Sequence, residues 1–288
     1  MSHESVLPLL AALTAAAFFG GSVLLARLGL RYVDAQTGSM ISIMTTTGIY
    51  TCVAPFVVKA EYFRSPGIWI FLASGCIHPL ISQAMSFEAT RRVGATVSST
   101  VGSTSPWFSS IAAVVLLGEK VTWPIVVGTL ATVGGAMVLT SRGRAPRAYP
   151  VGSLMYAFAA AIIRGTNFLT GKFGLQLLPV PFMAAWISFT VSCTGSVLVY
   201  RVRKGRLPFD LAWGGVKWFG LTGCCISAAI FCMYFALSGG SVVTIGPIVA
   251  AYPLVTLILT LLLRQEILSW RVIVGTLIVV SGVVLISL

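Results

Sequence analysis

Residues 242–263 read VVTIGPIVAAYPLVTLILTLLL, twenty-two positions without one charged side chain. A helix rises about 1.5 Å per residue, so roughly 20 such residues cross the hydrocarbon core of a bilayer. Runs of this kind follow one another along the chain. The breaks between them are short and polar: RYVDAQTG, KAEYFRSPG, TRRVG, GEK, RGRAPRAYP, LLPVP, RVRKGRLPFD, SGGS and RQE. Of the 288 residues, 57% are apolar and 9% charged, and mean hydropathy is +0.96. A soluble domain carries about 25% charged residues, so this chain cannot coat itself for water. A transmembrane barrel would alternate apolar and polar positions in segments of about ten residues, whereas these runs are continuous. The chain therefore reads as an all-α polytopic membrane protein.

Ten spans are expected, near 7–29, 39–58, 68–88, 95–117 and 123–141, then 151–171, 181–200, 216–237, 241–263 and 270–288. The first run lacks a basic leader and exceeds the apolar length of a signal peptide, so it is expected to stay as the first helix. LLGEKVTWPIVVGTL (116–130) and LRQEILSWRVIVGTL (263–277) match at an offset of 147, sharing Leu116/Leu263, Glu119/Glu266, Trp123/Trp270 and Gly128–Leu130/Gly275–Leu277. The same offset places Pro106 on Pro253 and Gly135 on Gly282. An offset of 145 places Gly20 on Gly165, Arg27 on Lys172 and Gly29 on Gly174. The chain thus divides into two repeats, 1–144 and 145–288, of five spans each. Five is odd, so the second repeat enters the membrane upside down. Inverted repeats are the architecture in which one half can rock against the other around a midplane site.

The formal charge of +12 is scattered among the connections, as in SRGRAPR and RVRKGR, where loops meet anionic headgroups. That pattern excludes a nucleic-acid partner. The six cysteines lie inside apolar runs, outside any metal-binding or redox spacing, and read as small buried hydrophobes. Lys and Arg beside the odd-numbered loops number fourteen, against four beside the even-numbered ones. The positive-inside rule then puts the odd loops in the cytoplasm and both termini outside.

The repeated residues carry a resemblance. Phe19-Gly20 in the first helix, Pro106 and Pro253 in the fourth and ninth, Gly118-Glu119 with Glu266, and the pairs Gly128/Gly135 and Gly275/Gly282 together resemble the drug/metabolite transporter superfamily, specifically its EamA-type members with two EamA repeats. Arg164-Gly165 and Gln265-Glu266 depart from that pattern. The resemblance implies a secondary transporter of small metabolites in the cell membrane, often an exporter of amino acids or related compounds. Its relatives generally keep both termini in the cytoplasm, against the charge bias. A membrane-embedded enzyme or a non-transporting scaffold are the alternatives. Only His3 and His78 are histidines, and no phosphate-binding GxxxxGK[ST] loop is present, so neither a catalytic cluster nor ATP-driven pumping is expected.

Several residues are candidates for the transport site. Arg164, in YAFAAAIIRGTNFLTG, falls near mid-membrane, where a cation is costly unless it faces a cavity or a partner. It is expected to bind an anionic substrate group, with Asn167 one turn on. A pair with Glu88, or snorkelling to an interface, are the structural alternatives. Ser74, His78, Ser82 and Ser86 form one polar stripe, in which His78 either relays protons or is simply hydrogen-bonded. Pro106, Pro247 and Pro253 interrupt helices four and nine and free carbonyls there, for gating or for packing alone. Ser103, Thr104, Trp107 and Tyr252 surround those breaks and are expected to line the cavity. Glu119 and Glu266, with Thr122 and Ser269, are expected to cap helices five and ten. The glycine pairs are expected to pack helix on helix. The reading carries a small-molecule substrate and the lipid bilayer as partners, no cofactor, no metal and a monomeric chain. Coupling to protons or by exchange stays open.

Overall fold

The computed structural model describes residues 3–102, 104–140, 151–205, 212–262 and 270–287, all of it helical between short connections. Ser103 and Glu266 lie outside the described residues, as do Ser269 and the basic clusters at 142–147. The helices are α1 (His3–Gly29), α2 (Ala35–Val57), α3 (Gly67–Ile77), α4 (Leu80–Gly102), α5 (Ser105–Leu117), α6 (Trp123–Thr140), α7 (Val151–Leu177), α8 (Pro181–Lys204), α9 (Trp213–Gly239), α10 (Val242–Val249), α11 (Tyr252–Leu262) and α12 (Trp270–Ser287). A short 3-10 turn, Ala60–Arg64, joins α2 to α3. Among the described residues, six segments are long and apolar enough to cross a bilayer: Val6–Gly29, Ala35–Val57, Gly67–Val93, Pro181–Arg203, Trp213–Gly239 and Val242–Leu259. Three shorter apolar helices accompany them, Ser105–Leu117, Trp123–Val138 and Ile273–Ile286. The fold is that of an all-α polytopic membrane protein. Trp123 and Trp270 are largely exposed on its outer surface, as residues of an interfacial belt should be.

Two details differ from the sequence reading. The third expected span is split where His78, at the end of α3, joins Pro79 through a cis peptide. Helical bonding also runs unbroken from Leu80 to Gly102, through the expected break at TRRVG. The chain nevertheless folds back there, because the Ser98 hydroxyl donates to the Ser86 carbonyl at 3.4 Å across 12 positions. In a straight helix those positions would stand about 18 Å apart at 1.5 Å per residue.

Packing follows the small residues. Gly20 on α1 lies against the backbone of Tyr252 and Thr256, and Gly165 on α7 lies against that of Ser105 and Ser109; a methyl group at either would come within 3 Å of a carbonyl oxygen. These contacts bring α1 onto α11 and α7 onto α5. The hydroxyl of Ser192 on α8 donates to the Gly75 carbonyl at 2.5 Å, and that of Thr46 on α2 donates to the Gly223 carbonyl at 2.9 Å. They tie α8 to α3 and α2 to α9. In lipid, apolar side chains gain nothing by leaving the solvent, so association rests on such close backbone approach and on interhelical hydrogen bonds.

The α6–α12 seam tests this. A Cβ at Gly135 would sit 2.8 Å from the Val279 amide nitrogen and 3.0 Å from the Gly275 carbonyl, whereas at Gly134 it would meet nothing within 4 Å. Gly135→Ala should lower the thermal unfolding midpoint by the equivalent of about 1–3 kcal/mol of overpacking. Gly134→Ala, on the same helix, should leave it unchanged or raise it by up to about 1 kcal/mol from helix propensity. Differential scanning fluorimetry on the two variants reads the opposite signs.

Candidate functional site

A cavity of about 130 Å³ lies between segments from both ends of the chain. Phe19, Ser22 and Arg27 come from α1, His78 to Thr90 from the α3–α4 junction and α4, and Ala157 to Phe168 from α7. Phe189 of α8, Ile226 to Met233 of α9, and Val249 to Tyr252 at the α10–α11 break complete the wall. Its depth is marked by buried Asn167, Phe168, Phe189 and Met233. Its mouth is marked by exposed Arg27 with Leu30 and Thr90, at the end of the bundle where α1 finishes and α7 begins.

Arg164 reaches into this space from α7. One guanidinium nitrogen donates to the Tyr252 hydroxyl at 3.2 Å, the other to the Ser86 hydroxyl at 3.0 Å, and the group lies 5.7 Å from the Tyr252 ring centre. Among the described residues it has no carboxylate partner. Glu88, the candidate partner from sequence, is occupied by Arg91 and Arg92 at 2.6 and 2.5 Å. The guanidinium is thus held by two neutral hydroxyls and an aromatic face, arrangements that soften its desolvation without neutralising it.

The serine stripe faces α7. Ser74 donates to Asn167 Oδ1 at 3.0 Å, which also accepts from the buried Tyr234 hydroxyl at 3.3 Å. Asn167 is therefore a buried junction of three elements at the cavity floor. His78 Nδ1 lies 2.5 Å from the Ser82 hydroxyl. Gln83 is buried in the wall, and its Nε2 has no hydrogen-bond partner.

Arg164, Asn167, His78 and Tyr252 thus come together in one cavity. Thr104 and Trp107 do not join them. Thr104 turns its hydroxyl back to the Val101 carbonyl at 2.6 Å. Trp107, 38% exposed, belongs to an outer apolar dimple with Ile111, Val114 and Val121. The prolines also act differently from mid-helix kinks. Helix α4 ends at Gly102 and α10 at Val249, and Pro106 and Pro253 are the second residues of the helices that restart. Proline fits the first turn because its missing N–H would be unpaired there anyway. Of these three prolines, Pro247 alone lies inside a helix, α10. Ser86, Gln83, Arg27 and the phenyl rings of Phe19, Phe168 and Phe189 were not singled out as site residues. The stripe spacing pointed to Ser86, and the Phe19-Gly20 pair to Phe19.

The opposite end of the bundle is sealed. Glu119, just beyond α5, accepts from the Val242 and Val243 amides at 2.9 and 3.0 Å, so it caps α10 and not α6 as its sequence position implied. Lys172 donates to the Leu237 and Gly240 carbonyls, both at 2.8 Å, at the end of α9. A carboxylate on free N–H groups and an ammonium on free carbonyls suit the two poles of the helix dipole. Together they clamp the α9–α10 turn.

A cavity around a central cation, open at the Arg27 end and flanked by two broken helices inside a membrane bundle, is the architecture expected of a carrier for small molecules. A model described as the EamA-like transporter family matches residues 6–141 and again residues 152–288. The chain belongs to the EamA-like transporter family, within the drug/metabolite transporter superfamily. It is a multi-pass membrane transporter of small molecules, not an enzyme. Curated proteins give no match. A solved crystal structure, 17% identical, superposes with a TM-score of 0.80 over 96% of this chain and 95% of the other, which speaks for the fold.

The clamp yields a direct expectation. Glu119→Ala strips two acceptors from the α10 amides, at a cost of about 1–2 kcal/mol by the usual value of a helix cap. Hydrogen exchange at Val242 and Val243, followed by mass spectrometry, should accelerate accordingly. Glu119→Gln, which keeps one oxygen, should show a smaller change.

Proposed function

We propose that the chain is a ten-span carrier that exports a small carboxylate-bearing metabolite, with amino acids and their relatives as the starting class, by alternating access across the cell membrane. The observation that carries this reading is Arg164. A guanidinium held in the cavity by neutral groups alone lacks a counter-ion, and a substrate carboxylate supplies one through the paired geometry that guanidinium favours. Asn167 lies on the floor below it, and His78 stands in the wall.

The inverted arrangement of two units, 1–144 and 145–288, is supported by contacts that occur in corresponding pairs. Gly20 meets Tyr252 and Val255, and Gly165 meets Ser105 and Phe108. Each pair keeps the offsets of 145 and 147 found in the sequence. The hydroxyl bonds of Ser192 to Gly75 and of Thr46 to Gly223 form a further pair, each position one residue off those offsets, at 146 and 148. Two such units meeting around one cavity can exchange the sealed end for the open one, with the breaks before Pro106 and Pro253, and Pro247 between them, as the deformable points. The working unit is a monomer. His78 is the candidate if transport is coupled to protons, and exchange of substrates is the alternative.

Counterflow of radiolabelled amino acids and carboxylates into proteoliposomes tests the function. Arg164→Gln and Arg164→Leu should each weaken binding of the accepted substrate by about 2 kcal/mol or more, some thirtyfold, as expected for losing one partner of a buried charge pair. Undiminished affinity would overturn the reading. Reporter fusions at the C-terminus should place it outside the cell, following the charge bias of the loops.

A further inference from the structure

Three features of the cavity concern what kind of carboxylate it can hold, and so rest on the reading of Arg164 above. The first is its charge. Arg27 and Arg164 both line the cavity, and among the described residues no Asp or Glu does. Arg27 is exposed at the mouth and pairs with no described residue. Its repeat mate Lys172 spends its charge on the α9 carbonyls at the sealed end. The two equivalent cations therefore have different tasks, and only Arg27 keeps its charge facing the entrance.

The second feature is hydrogen-bonding sense. The Ser86 and Tyr252 hydroxyls accept from Arg164, so each retains a proton to donate. Gln83 Nε2 is buried in the same wall without an acceptor among the described residues. The unspent polar capacity around the guanidinium is donor capacity. The third feature is the fate of the carbonyls at the helix breaks. Val101 accepts from the Thr104 amide at 3.1 Å, Gly246 from Ala250 at 2.9 Å and Ile248 from Ala251 at 3.1 Å. The turns use these oxygens themselves, and a substrate ammonium finds no carboxylate to replace its hydration.

We infer that the cavity selects substrates of net negative charge over zwitterions, and that Arg27 is a second anion-recognising residue, at the entrance, which passes the substrate to Arg164. Gly20 is level with the Tyr252 backbone, and Arg27 lies seven residues further towards the mouth, about 10 Å of helix rise. The two cations are thus sequential stations along one path. A cleft lined by one sign of charge between low-dielectric walls raises the local concentration of its counter-ion and the association rate. The phenyl rings of Phe19, Phe168 and Phe189 suit an apolar or aromatic body on the acid.

The test uses three probes on one skeleton: 3-phenylpropionate (anion), phenylalanine (zwitterion) and phenethylamine (cation). Isothermal titration of the full chain in detergent measures their affinities, and stopped-flow tryptophan fluorescence their association rates, for the native protein and for Arg27→Gln, Arg27→Lys and Arg164→Gln. The native protein should bind 3-phenylpropionate at least about tenfold more tightly than phenylalanine, and phenethylamine not at all. Arg27→Gln should lower the association rate of 3-phenylpropionate about tenfold and lessen its salt dependence, the scale expected of electrostatic steering. Arg27→Lys should preserve both. Equal or tighter binding of phenylalanine, binding of none of the three, or an Arg27→Gln protein identical to the native one would each overturn the inference. Equal affinity for the two acids, lost for both in Arg164→Gln, would remove the net-charge rule and leave the carboxylate site standing. Loss of neither acid in Arg164→Gln would remove the site itself.

Discussion

Helices in a bilayer gain little by hiding apolar side chains from one another, because the surrounding lipid is as apolar as they are. What joins this bundle is the direct approach of backbone to backbone. Gly20 against Tyr252, Gly165 against Ser105, and Gly135 against Val279 bring helix axes closer than any side chain would allow. The same approach turns carbonyls at Gly75 and Gly223 into acceptors for hydroxyls on neighbouring helices. Where the spacing tightens on the outside it must loosen somewhere within. The cavity occupies the place where phenyl rings and an arginine, too large for such contact, hold the helices apart.

That cavity takes its chemistry from an unbalanced charge. Arg164 is solvated by Ser86 and Tyr252, and the carboxylate that could have silenced it, Glu88, is held by Arg91 and Arg92 around the middle of α4. Two arginines thus spare a third. The broken helices add flexibility next to the cation: α5 and α11 restart at Ser105 and Tyr252, both of which line the cavity. Binding group and deformable backbone therefore share residues, and Tyr252 does both.

Helix content, the repeat and the placing of Arg164 within the bundle were legible in the sequence because each depends on local composition or on counting. Apolar length defines a span, matching offsets define a repeat, and a lone cation in an apolar run has few places to go. Partner choice was less legible. Glu119 sits three residues before Thr122 and looked like a cap for the next helix, yet it serves α10, 123 positions away. Thr104 and Trp107 flank a helix break, but the turn at Thr104 rotates one into a local bond and the other towards lipid. Such outcomes depend on the direction in which a short turn points a side chain, and no periodicity records that. Ser86 already stood in the serine stripe, whereas Gln83, next to Ser82 but off that spacing, had no periodicity to mark it.

The clamp around the α9–α10 turn sets the relative effort of the two exits. Leaving through that end requires four charge-assisted bonds to part together, two at Glu119 and two at Lys172. Among the described residues, no comparable set of bonds stands at the Arg27 end. On the alternating-access reading proposed above, an empty molecule of this shape would wait facing one compartment, like a door hung to rest ajar on one side only, and cargo would supply the push that swings it the other way.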